Sequence, residues 1–457
     1  MRVLLVRPSL NKKTTTVRNF MFGEPIGIEC VSTILKELKH NVLLVDLLVE
    51  KEREFIKYLK DFKPDVVGFT SQCTDIDNIL YLASKVKEFN KDIKVIVGGI
   101  QATISPEAYF NKNVDYIFKS TTRDNYKKLM EQIKNGTNEE IEGIYSRRRQ
   151  YQVSLPSCQN EYVKPDREST LKYRKHYKYV GYSPCAVLQT SWGCRNHCKF
   201  CVRWRIEGAK VTELPINEVV NDIKKIKEPY IMIIDNDFLI NESRLLKFLD
   251  LIEKKKIKKK YIVYGSVNSI LEKEHIFERF AKNGLKAVIV GYESFDDKQL
   301  KKWNKAATVD ENYEATQILR RNNIAVWGSF ILHPDFTKED FKKLIKYNKR
   351  LSPELLTFSP LVPHPLTPLY KEYKDRLIYD VEDYEKWNFG DVLIYPSNMS
   401  LRQYYWEILK FGIPVNLRWY SIKYMLREFP LKNTIRMAFG FNQSIKVYLK
   451  NIFKRGN

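Results

Sequence analysis

Two α/β units followed by a short helical segment are the fold that this sequence of 457 residues predicts. Short apolar runs alternate with amphipathic stretches over the first 140 residues, and a second alternation of the same kind runs from 186 to 361. Strands that alternate with helices form parallel sheets. Beyond 385 the chain becomes aromatic and basic. We therefore expect an N-terminal doubly wound (Rossmann-like) domain, a partial β/α (TIM-like) barrel and a small helical C-terminal segment.

The N-terminal domain, residues 1–140, is predicted to be a series of βαβ units. Its strands are expected at 2–6, 41–46, 65–70, 94–99 and 114–118, and its helices at 29–39 and 78–89. Ligands of such sheets bind outside the carboxyl ends of the strands. Two of these ends carry Thr70, Ser71, Gly98 and Gly99. The hydroxyls can hydrogen-bond a ligand, and the glycines let it approach the backbone, although a plain turn also explains the glycine pair.

Residues 141–182 interrupt the alternation and are predicted to be a linker. The barrel domain is expected over 183–385, and the helical, basic segment over 386–457. The barrel strands are predicted at 186–191, 230–235, 261–266, 286–294, 325–332 and 355–361. In β/α barrels the chemistry belongs at the C-terminal ends of the strands.

Composition limits the class of protein. Hydrophobic residues make up 44% of the chain, as in globular proteins. Neither a signal-peptide pattern nor a run of about 18 apolar residues occurs, so we expect a cytoplasmic protein. Seven cysteines, three of them clustered, are not typical of a secreted disulfide framework. The other four are expected to be ordinary core residues.

The net charge of +23 is uneven, since residues 401–457 hold 11 basic and 2 acidic side chains. A solvated, lysine-rich surface is the simpler explanation of this charge. The alternative is that the basic, tryptophan-containing tail makes peripheral contact with an anionic membrane, which it fits better than nucleic acid. The lysine run at 253–261 is predicted to be a solvated helix end.

Cys194, Cys198 and Cys201 follow the first barrel strand with Cys-x3-Cys-x2-Cys spacing. A structural zinc site needs four ligands, and His197 is poorly placed to be the fourth. A 4Fe-4S cluster is normally held by four thiolates. Three thiolates would leave one iron open to a substrate or cosubstrate. On these residues alone, zinc and unliganded thiols stay as alternatives.

The stretch "CRNHCKFC" resembles the Cys-x3-Cys-x2-aromatic-Cys motif of the radical S-adenosylmethionine (SAM) enzymes, with Phe200 at the aromatic position. The resemblance implies that SAM chelates the open iron and is cleaved by one electron to methionine and a 5'-deoxyadenosyl radical. "IIDNDF" resembles a family motif with two acids, here Asp235 and Asn236. "VGYES" resembles Gly-x-Glu-Ser, which implies that Glu293 and Ser294 lie near SAM. Ordinary strand-end polar residues are the alternative.

Three positions depart from these motifs. His333 stands near an expected glycine, Ser266 stands where relatives often carry arginine, and "KSTTRD" at 119–124 stands where they often show Gly-Glu-Gly-Glu.

The stretches "PIGIECVSTILKELKHNVLLVD" and "GGIQATISPE" resemble motifs of the cobalamin-binding class of radical SAM enzymes, and the resemblance extends to the tail, "MSLRQYYWEI". It implies a cobalamin near Thr70, Ser71, Gly98 and Gly99. An Asp-x-His-x2-Gly motif is absent, so we expect no histidine ligand on the lower face of cobalamin.

The function implied by the resemblance is methylation of an unactivated carbon of a lipid, peptide or natural product, with methylcobalamin as the methyl donor. Radical ring formation, ring contraction or carbon-carbon coupling without methyl transfer is the alternative. The expected partner is an external one-electron reductant such as flavodoxin or ferredoxin. A protein that only binds membranes or nucleic acid is a further hypothesis, but it gives the cysteine cluster no purpose. The sequence identifies no catalytic side chain.

Overall fold

A computed structural model describes residues 1–9, 21–147, 153–154 and 161–453 of the chain. It divides into two compact units. The first consists mainly of Pro25–His176 and also includes Val381–Asn388, and the second consists mainly of Tyr177–Asp380 and the residues from Phe389 on. Cys158 lies outside the described residues.

The first unit contains a six-stranded sheet with the strand order β2-β1-β3-β4-β5-β6. The first five strands are parallel, and β6 pairs with β5 in the antiparallel direction. The strands are β1 (Arg2–Arg7), β2 (Asn41–Asp46), β3 (Val66–Thr70), β4 (Lys94–Gly98), β5 (Tyr116–Phe118) and β6 (Ile144–Ser146). The helices are α1 (Ile26–Glu37), α2 (Glu54–Phe62), α3 (Ile76–Phe89), α4 (Ile100–Ile104) and α5 (Arg123–Asn135). Separate apolar clusters cover the two faces of the sheet, so the doubly wound fold is confirmed.

The unit extends beyond the boundary expected at 140. β6 completes the sheet, and the segment after it packs on α1 rather than crossing directly to the next domain. Asp166 accepts a hydrogen bond from Ser32 at 2.6 Å and pairs with Lys36 at 2.6 Å. The hydroxyl of Thr170 donates to the fully buried carboxylate of Glu29 at 2.5 Å. Much of the expected linker is therefore part of the first unit.

The second unit contains six parallel strands in sequential order, β12-β11-β10-β9-β8-β7. They are β7 (Cys185–Leu188), β8 (Tyr230–Ile233), β9 (Lys260–Tyr264), β10 (Leu285–Glu293), β11 (Ala325–Leu332) and β12 (Leu355–Pro360). The first and last strands do not pair with each other, so the sheet is an open, partial barrel, as predicted. Two short antiparallel ladders join Met21–Phe22 to Lys178–Tyr179 and Ser191–Trp192 to Thr212–Glu213.

Helices alternate with these strands and then continue without them. They are α6 (Arg203–Glu207), α7 (Ile216–Lys225), α8 (Glu242–Lys254), α9 (Val267–Glu272), α10 (Phe277–Lys282), α11 (Asp297–Lys302), α12 (Val309–Arg321), α13 (Lys338–Leu351), α14 (Pro368–Tyr373), α15 (Leu401–Asn416), α16 (Trp419–Glu428) and α17 (Leu431–Phe453). The last three form the helical segment that the aromatic, basic tail predicts.

The N-terminal ends of the barrel strands are sealed by aromatic side chains. A buried cluster takes members from β7 to β11, Leu355 of β12 packs against it, and Tyr424 of α16 and Phe429 belong to it. The indole Nε1 of Trp327 lies 3.2 Å from the hydroxyl of Tyr424, and the ring of Phe429 packs edge-on against Tyr182 at 5.0 Å. The inner face of the sheet is therefore closed at this end.

All six described cysteines are free thiols. Of the described helices, none is at once long and apolar enough to cross a bilayer.

Candidate active site

The cysteine loop begins after β7 with a turn that requires glycine. Gly193 has a φ of +84°, and a Cβ atom at this position would lie 1.9 Å from the carbonyl oxygen of Lys210. The next residue, Cys194, donates its backbone N–H to the carbonyl of Gly208 at 3.2 Å. This close approach of two backbone segments fixes the position of the first thiol.

The three predicted thiols are brought together at the C-terminal end of β7. Cys198 is buried, and Cys194 and Cys201 are half-buried. Burial raises the pKa of all three thiols, that of Cys198 to about 12, because a thiolate loses solvation there. Repulsion between the thiols contributes to the rise at Cys198, so the groups lie within electrostatic reach of one another. Binding a metal would release their protons.

This donor set fits a cluster. A structural zinc site needs four ligands, and this loop supplies three thiols. In an iron-sulfur cluster each thiolate binds a different iron, so three thiols of one loop can hold three irons. His197 is occupied elsewhere: its ring lies 4.9 Å from that of Trp204, and its carbonyl accepts a hydrogen bond from Asn304 at 3.1 Å.

The far side of the loop is fastened to the turn that follows α11. Lys199 donates its backbone N–H to the carbonyl of Trp303 at 2.9 Å. The ring of Phe200 meets the indole of Trp303 edge-on, with centroids 5.5 Å apart. Phe200 therefore packs the loop against the Trp303 side chain, which is buried.

His333, which stands near an expected glycine, stacks on the same indole of Trp303 at 5.7 Å. Its Nδ1 accepts the backbone N–H of Asp335 at 3.1 Å, so Nε2 carries the proton and donates to the hydroxyl of Tyr373 at 3.1 Å. Burial lowers the pKa of His333 and keeps the ring neutral. This histidine fills space behind the loop that a glycine would leave empty.

Asp235 lies at the end of β8 and is fully buried. Its carboxylate accepts hydrogen bonds from the backbone N–H of Thr190 at 2.6 Å, the hydroxyl of Thr190 at 2.5 Å and the hydroxyl of Ser191 at 2.8 Å. These contacts join the end of β8 to the residues that lead into the cysteine loop. Asp235 thus positions the loop, and its predicted contact with SAM stays a prediction.

The hydrogen bonds of Asn236 show why an amide stands where the family motif has a second acid. Its Nδ2 donates to the carbonyl of Gly193 at 2.8 Å and to the carboxylate of Glu207 at 2.7 Å, while its Oδ1 accepts from Nε of Arg203 at 2.8 Å. An aspartate could not donate and would face the Glu207 carboxylate. Burial raises the pKa of Glu207, although Arg203 opposes the rise.

Glu293 ends β10 with a left-handed backbone, φ +64°. Its carboxylate lies 3.5 Å from the ammonium of Lys305. A Cβ atom at Gly291 would lie 2.1 Å from Oε1 of Glu293, so the glycine of "GYES" makes room for the carboxylate. Burial raises the pKa of Glu293, and Lys305 opposes the rise.

Lys305 is a charged residue of this site that the sequence analysis missed. Burial lowers the pKa of its ammonium, but the Glu293 carboxylate and the Cys198 and Cys201 thiols outweigh this and raise it. A half-buried cation therefore lies beside Glu293, within electrostatic reach of the thiols. The sequence carries one signal for Lys305, namely its position about a dozen residues after the "GYES" strand end.

Two serines have local roles. Ser294, 1% exposed, accepts the backbone N–H of Asp296 at 3.2 Å and so shapes the turn after Glu293. Ser266 caps the N-terminus of α9, where its hydroxyl accepts the N–H of Ser269 at 3.2 Å. Whether Ser294 contacts SAM stays a prediction.

In the first unit, the loops after β3 and β4 are locked to each other. Gly99 has a φ of +98°, and a Cβ atom there would lie 2.6 Å from the backbone nitrogen of Ser71 and 3.0 Å from the hydroxyl of Thr70. The hydroxyl of Ser71 donates to the carbonyl of Gly98 at 2.8 Å and accepts the N–H of Ala102 at 3.2 Å. These residues build an uncharged, tightly packed edge at the strand ends, which suits the neutral rim of a large planar cofactor. Individual contacts of Thr70, Ser71, Gly98 and Gly99 with cobalamin stay predictions.

The loop at 119–124, which departs from the expected acidic motif, starts helix α5. Thr122 and Asn125 form a reciprocal capping box. Arg123 pairs with Glu37 at 2.7 Å and with Glu161 at 2.5 Å. Here the sequence "KSTTRD" serves helix capping and the docking of the following segment.

Comparisons with known proteins agree with this geometry. Residues 188–347, which contain the three thiols and Lys305, match the family model described as the radical SAM superfamily. The chain is therefore a radical SAM enzyme. Residues 17–127 match the model described as the B12 binding domain. The chain belongs to the cobalamin-binding radical SAM family, and its cofactors are a 4Fe-4S cluster, SAM and cobalamin.

Two curated relatives and one solved structure illustrate the similarity. Hopanoid C-3 methylase from Methylococcus capsulatus (strain ATCC 33009 / NCIMB 11132 / Bath) is 26% identical over 415 residues, covering 90% of this chain and 79% of the relative. Anaerobic magnesium-protoporphyrin IX monomethyl ester cyclase from Rubrivivax gelatinosus is 22% identical over 480 residues, covering 100% of this chain and 83% of the relative. The radical SAM methyltransferase TsrM from Kitasatospora setae, solved with cobalamin and a 4Fe-4S cluster bound, shares the fold with a TM-score of 0.74 at 14% identity, over 98% of this chain and 99% of that chain.

Proposed function

We propose that this enzyme methylates an sp3 carbon of an uncharged, lipid-like molecule. When bound, SAM at the cluster supplies the radical that activates the carbon, and cobalamin supplies a methyl group that a carbon radical can accept. The similarity to a hopanoid C-3 methylase, over 90% of this chain, supports methyl transfer.

The chain's own residues would hold these groups as follows. Cys194, Cys198 and Cys201 would ligate three irons as thiolates. Lys305 would neutralise an anionic group beside the thiols, and the carboxylate of SAM has that charge. Glu293 keeps this ammonium in place. The hydrogen bonds of Asn236 would keep the thiol loop in one shape while ligands exchange.

The proposal of an uncharged substrate rests on the residues of the inner face of the barrel sheet. Ala287, Ala325 and Trp327 belong to the buried inner cluster. Side chains alternate along a strand, so residues an even number of positions further on share that face. Gly291 and Ser329 are such residues, Thr357 stands two positions after Leu355, which packs against the same cluster, and the three lie side by side across β10, β11 and β12.

This layer lies above the sealed floor and beside Lys305. A Cβ atom built on Gly291 would lie 3.2 Å from the ammonium of Lys305. Ser329 is half-buried and Thr357 is exposed, so the layer is accessible. One pleat repeat further, Ile331 pairs with Ser359. Lys305 and Glu293 neutralise each other at the edge of this surface, and the rest of it consists of glycine, hydroxyl and aliphatic groups. Such a surface favours a substrate without formal charge, because a buried charge would need a partner.

The test uses the anaerobically reconstituted enzyme with SAM, cobalamin, a reductant and a lipid extract of the encoding organism, separated into neutral and acidic fractions. We expect a methylated product by mass spectrometry in the neutral fraction. Ser329→Asp should abolish the product while leaving substrate-independent formation of 5'-deoxyadenosine, and Ser329→Ala should keep both. A product found only in the acidic fraction or among charged peptides would contradict the proposed substrate class.

Radical cyclisation without methyl transfer is the second candidate, and the name of the cyclase relative favours it. A product that has lost hydrogen and gained no methyl group would identify it. In either case we propose that flavodoxin or ferredoxin supplies the electron. We also propose that the enzyme works in the cytoplasm with a peripheral membrane contact.

A further inference from the structure

The last two helices expose large apolar side chains to solvent. In α17, Leu431 is 64% exposed, Ile435 48% and Phe439 63%. In α16, Trp419 is 73% exposed and Leu426 51%. Single exposed apolar residues are ordinary, but contiguous ones mark interaction surfaces.

The apolar residues of α17 form one row that basic residues flank. Leu431, Ile435 and Phe439 recur every four residues and so share a face of the helix. Lys432 and Arg436 follow the first two by one position and form the neighbouring row. We call these five residues the C-terminal stripe. In α16 the same pairing recurs, because Lys423 and Arg427 flank Leu426.

The positive charge of this region is largely uncompensated. The 23 residues of α17 include no Asp or Glu, and residues 401–457 hold 11 basic and 2 acidic side chains. Within the described part of the chain, Lys423, Lys432 and Arg436 have no ion-pair partner. The stripe therefore combines exposed hydrophobic surface with free positive charge.

We propose that the C-terminal stripe docks this enzyme on an anionic lipid bilayer, with its apolar row at the headgroup boundary and its basic row on the lipid phosphates. Interfacial helices carry this combination of residues, and each Lys or Arg near an anionic surface adds to the binding. The inference assigns residues to the proposed membrane contact and does not depend on methyl transfer.

Other occupants match the stripe less well. A second copy of the chain would bring two basic faces together, and like charges repel. Nucleic acid would pair with the basic row but would leave Leu431 and Ile435 without a partner. An acidic electron donor would dock far from the thiols, because α16 lies at the N-terminal ends of the barrel strands, where Arg418 at its start donates to the carbonyl of Pro353 at 2.7 Å.

The experiment measures sedimentation of the full-length reconstituted enzyme with two kinds of vesicle. One kind contains phosphatidylcholine alone, and the other also contains about 30% phosphatidylglycerol, which makes its surface negative. We expect binding to the anionic vesicles that weakens in about 1 M salt, where screening is nearly complete. Lys432→Gln with Arg436→Gln should weaken binding by about 30-fold. Leu431→Ser with Phe439→Ser should weaken it by about tenfold or more.

The lysine run at 253–261 offers a matched control. Lys254 and Lys258 are exposed like the residues of the stripe, so Lys254→Gln with Lys258→Gln removes the same number of positive charges without touching the stripe. This variant should bind as the wild type does. Equal losses in the control and stripe variants, or no binding to anionic vesicles, would overturn the proposal. Binding to an oligonucleotide that equals vesicle binding and survives Leu431→Ser with Phe439→Ser would also overturn it and would favour a nucleic-acid surface. All variants should form 5'-deoxyadenosine at the wild-type rate, which separates docking from chemistry.

Discussion

Replacing Asn236 with aspartate would restore the family's paired acids, yet we expect it to damage this enzyme. Asn236 donates to the carbonyl of Gly193 at 2.8 Å and to the carboxylate of Glu207 at 2.7 Å. Asn236→Asp removes both donors and sets two carboxylates in contact, with Arg203 as the shared cation. The turn that leads into Cys194 would lose one of its supports.

The loss can be estimated from these contacts. One neutral hydrogen bond and one to a charged group contribute together about 2–4 kcal/mol. At about 1.4 kcal/mol for each factor of ten, the loop should open about 30- to 1,000-fold more often. Burial already raises the pKa of Glu207, and a second carboxylate would raise it further. The defect should therefore be small at acidic pH, where Glu207 is protonated, and grow as the pH rises.

Hydrogen exchange of the peptide around 191–201 measures this opening directly. We expect faster exchange in Asn236→Asp, less bound iron after reconstitution, and recovery of both in the double variant with Glu207→Gln, which removes the repulsion. The double variant is the control for a general loss of folding. Wild-type exchange in Asn236→Asp, or no recovery in the double variant, would refute this account of the motif.

Three further changes test other parts of the site. Cys198→Ala should abolish both cluster binding and SAM cleavage, while Cys185→Ala, a buried thiol away from the loop, should keep them; SAM cleavage by Cys198→Ala would contradict the ligand assignment. Lys305→Met leaves the Glu293 carboxylate buried and unpaired, so equilibrium dialysis should show SAM binding that is about tenfold or more weaker. This loss of affinity should grow with pH, because the pKa of the Glu293 carboxyl rises without the ammonium. Lys305→Arg should recover part of the affinity, and wild-type affinity in Lys305→Met would contradict a role of Lys305 in SAM binding. Gly99→Ala forces a Cβ atom against the backbone of Ser71 and should destabilise the loop by about 2 kcal/mol or more. The variant should therefore retain less cobalamin, measured as corrin absorbance after desalting. Full retention of cobalamin would show that the loop rearranges without loss of binding.

Much of the fold follows from local pattern. Continuous apolar runs mark the strands of both parallel sheets, and the strand from 325 to 332 was predicted at its observed bounds. β6 was missed because three residues of an antiparallel edge strand give no periodicity, and its pairing with β5 is a tertiary contact. The segment after β6 lacks apolar runs because its contacts with α1 are polar, as Asp166 with Lys36 shows.

The sequence predicts those parts of the site that follow from the spacing of residues along the chain, but not those that depend on tertiary contacts. The thiol positions follow from the motif. The use of Asp235 and Asn236 to hold the loop depends on hydrogen bonds between β7 and β8, which no spacing encodes. Lys305 was missed because it is one of many lysines, and its ion pair with the Glu293 carboxylate, a tertiary contact, distinguishes it.

The most direct test of methyl transfer uses SAM with a trideuterated methyl group, together with cobalamin, a reductant and the neutral lipid fraction. A methylation that uses one SAM for the radical and one to supply the methyl group predicts equal amounts of 5'-deoxyadenosine, S-adenosylhomocysteine and trideuteromethyl product, with none of the product when cobalamin is left out. Formation of 5'-deoxyadenosine with a converted substrate that carries no label would contradict methyl transfer.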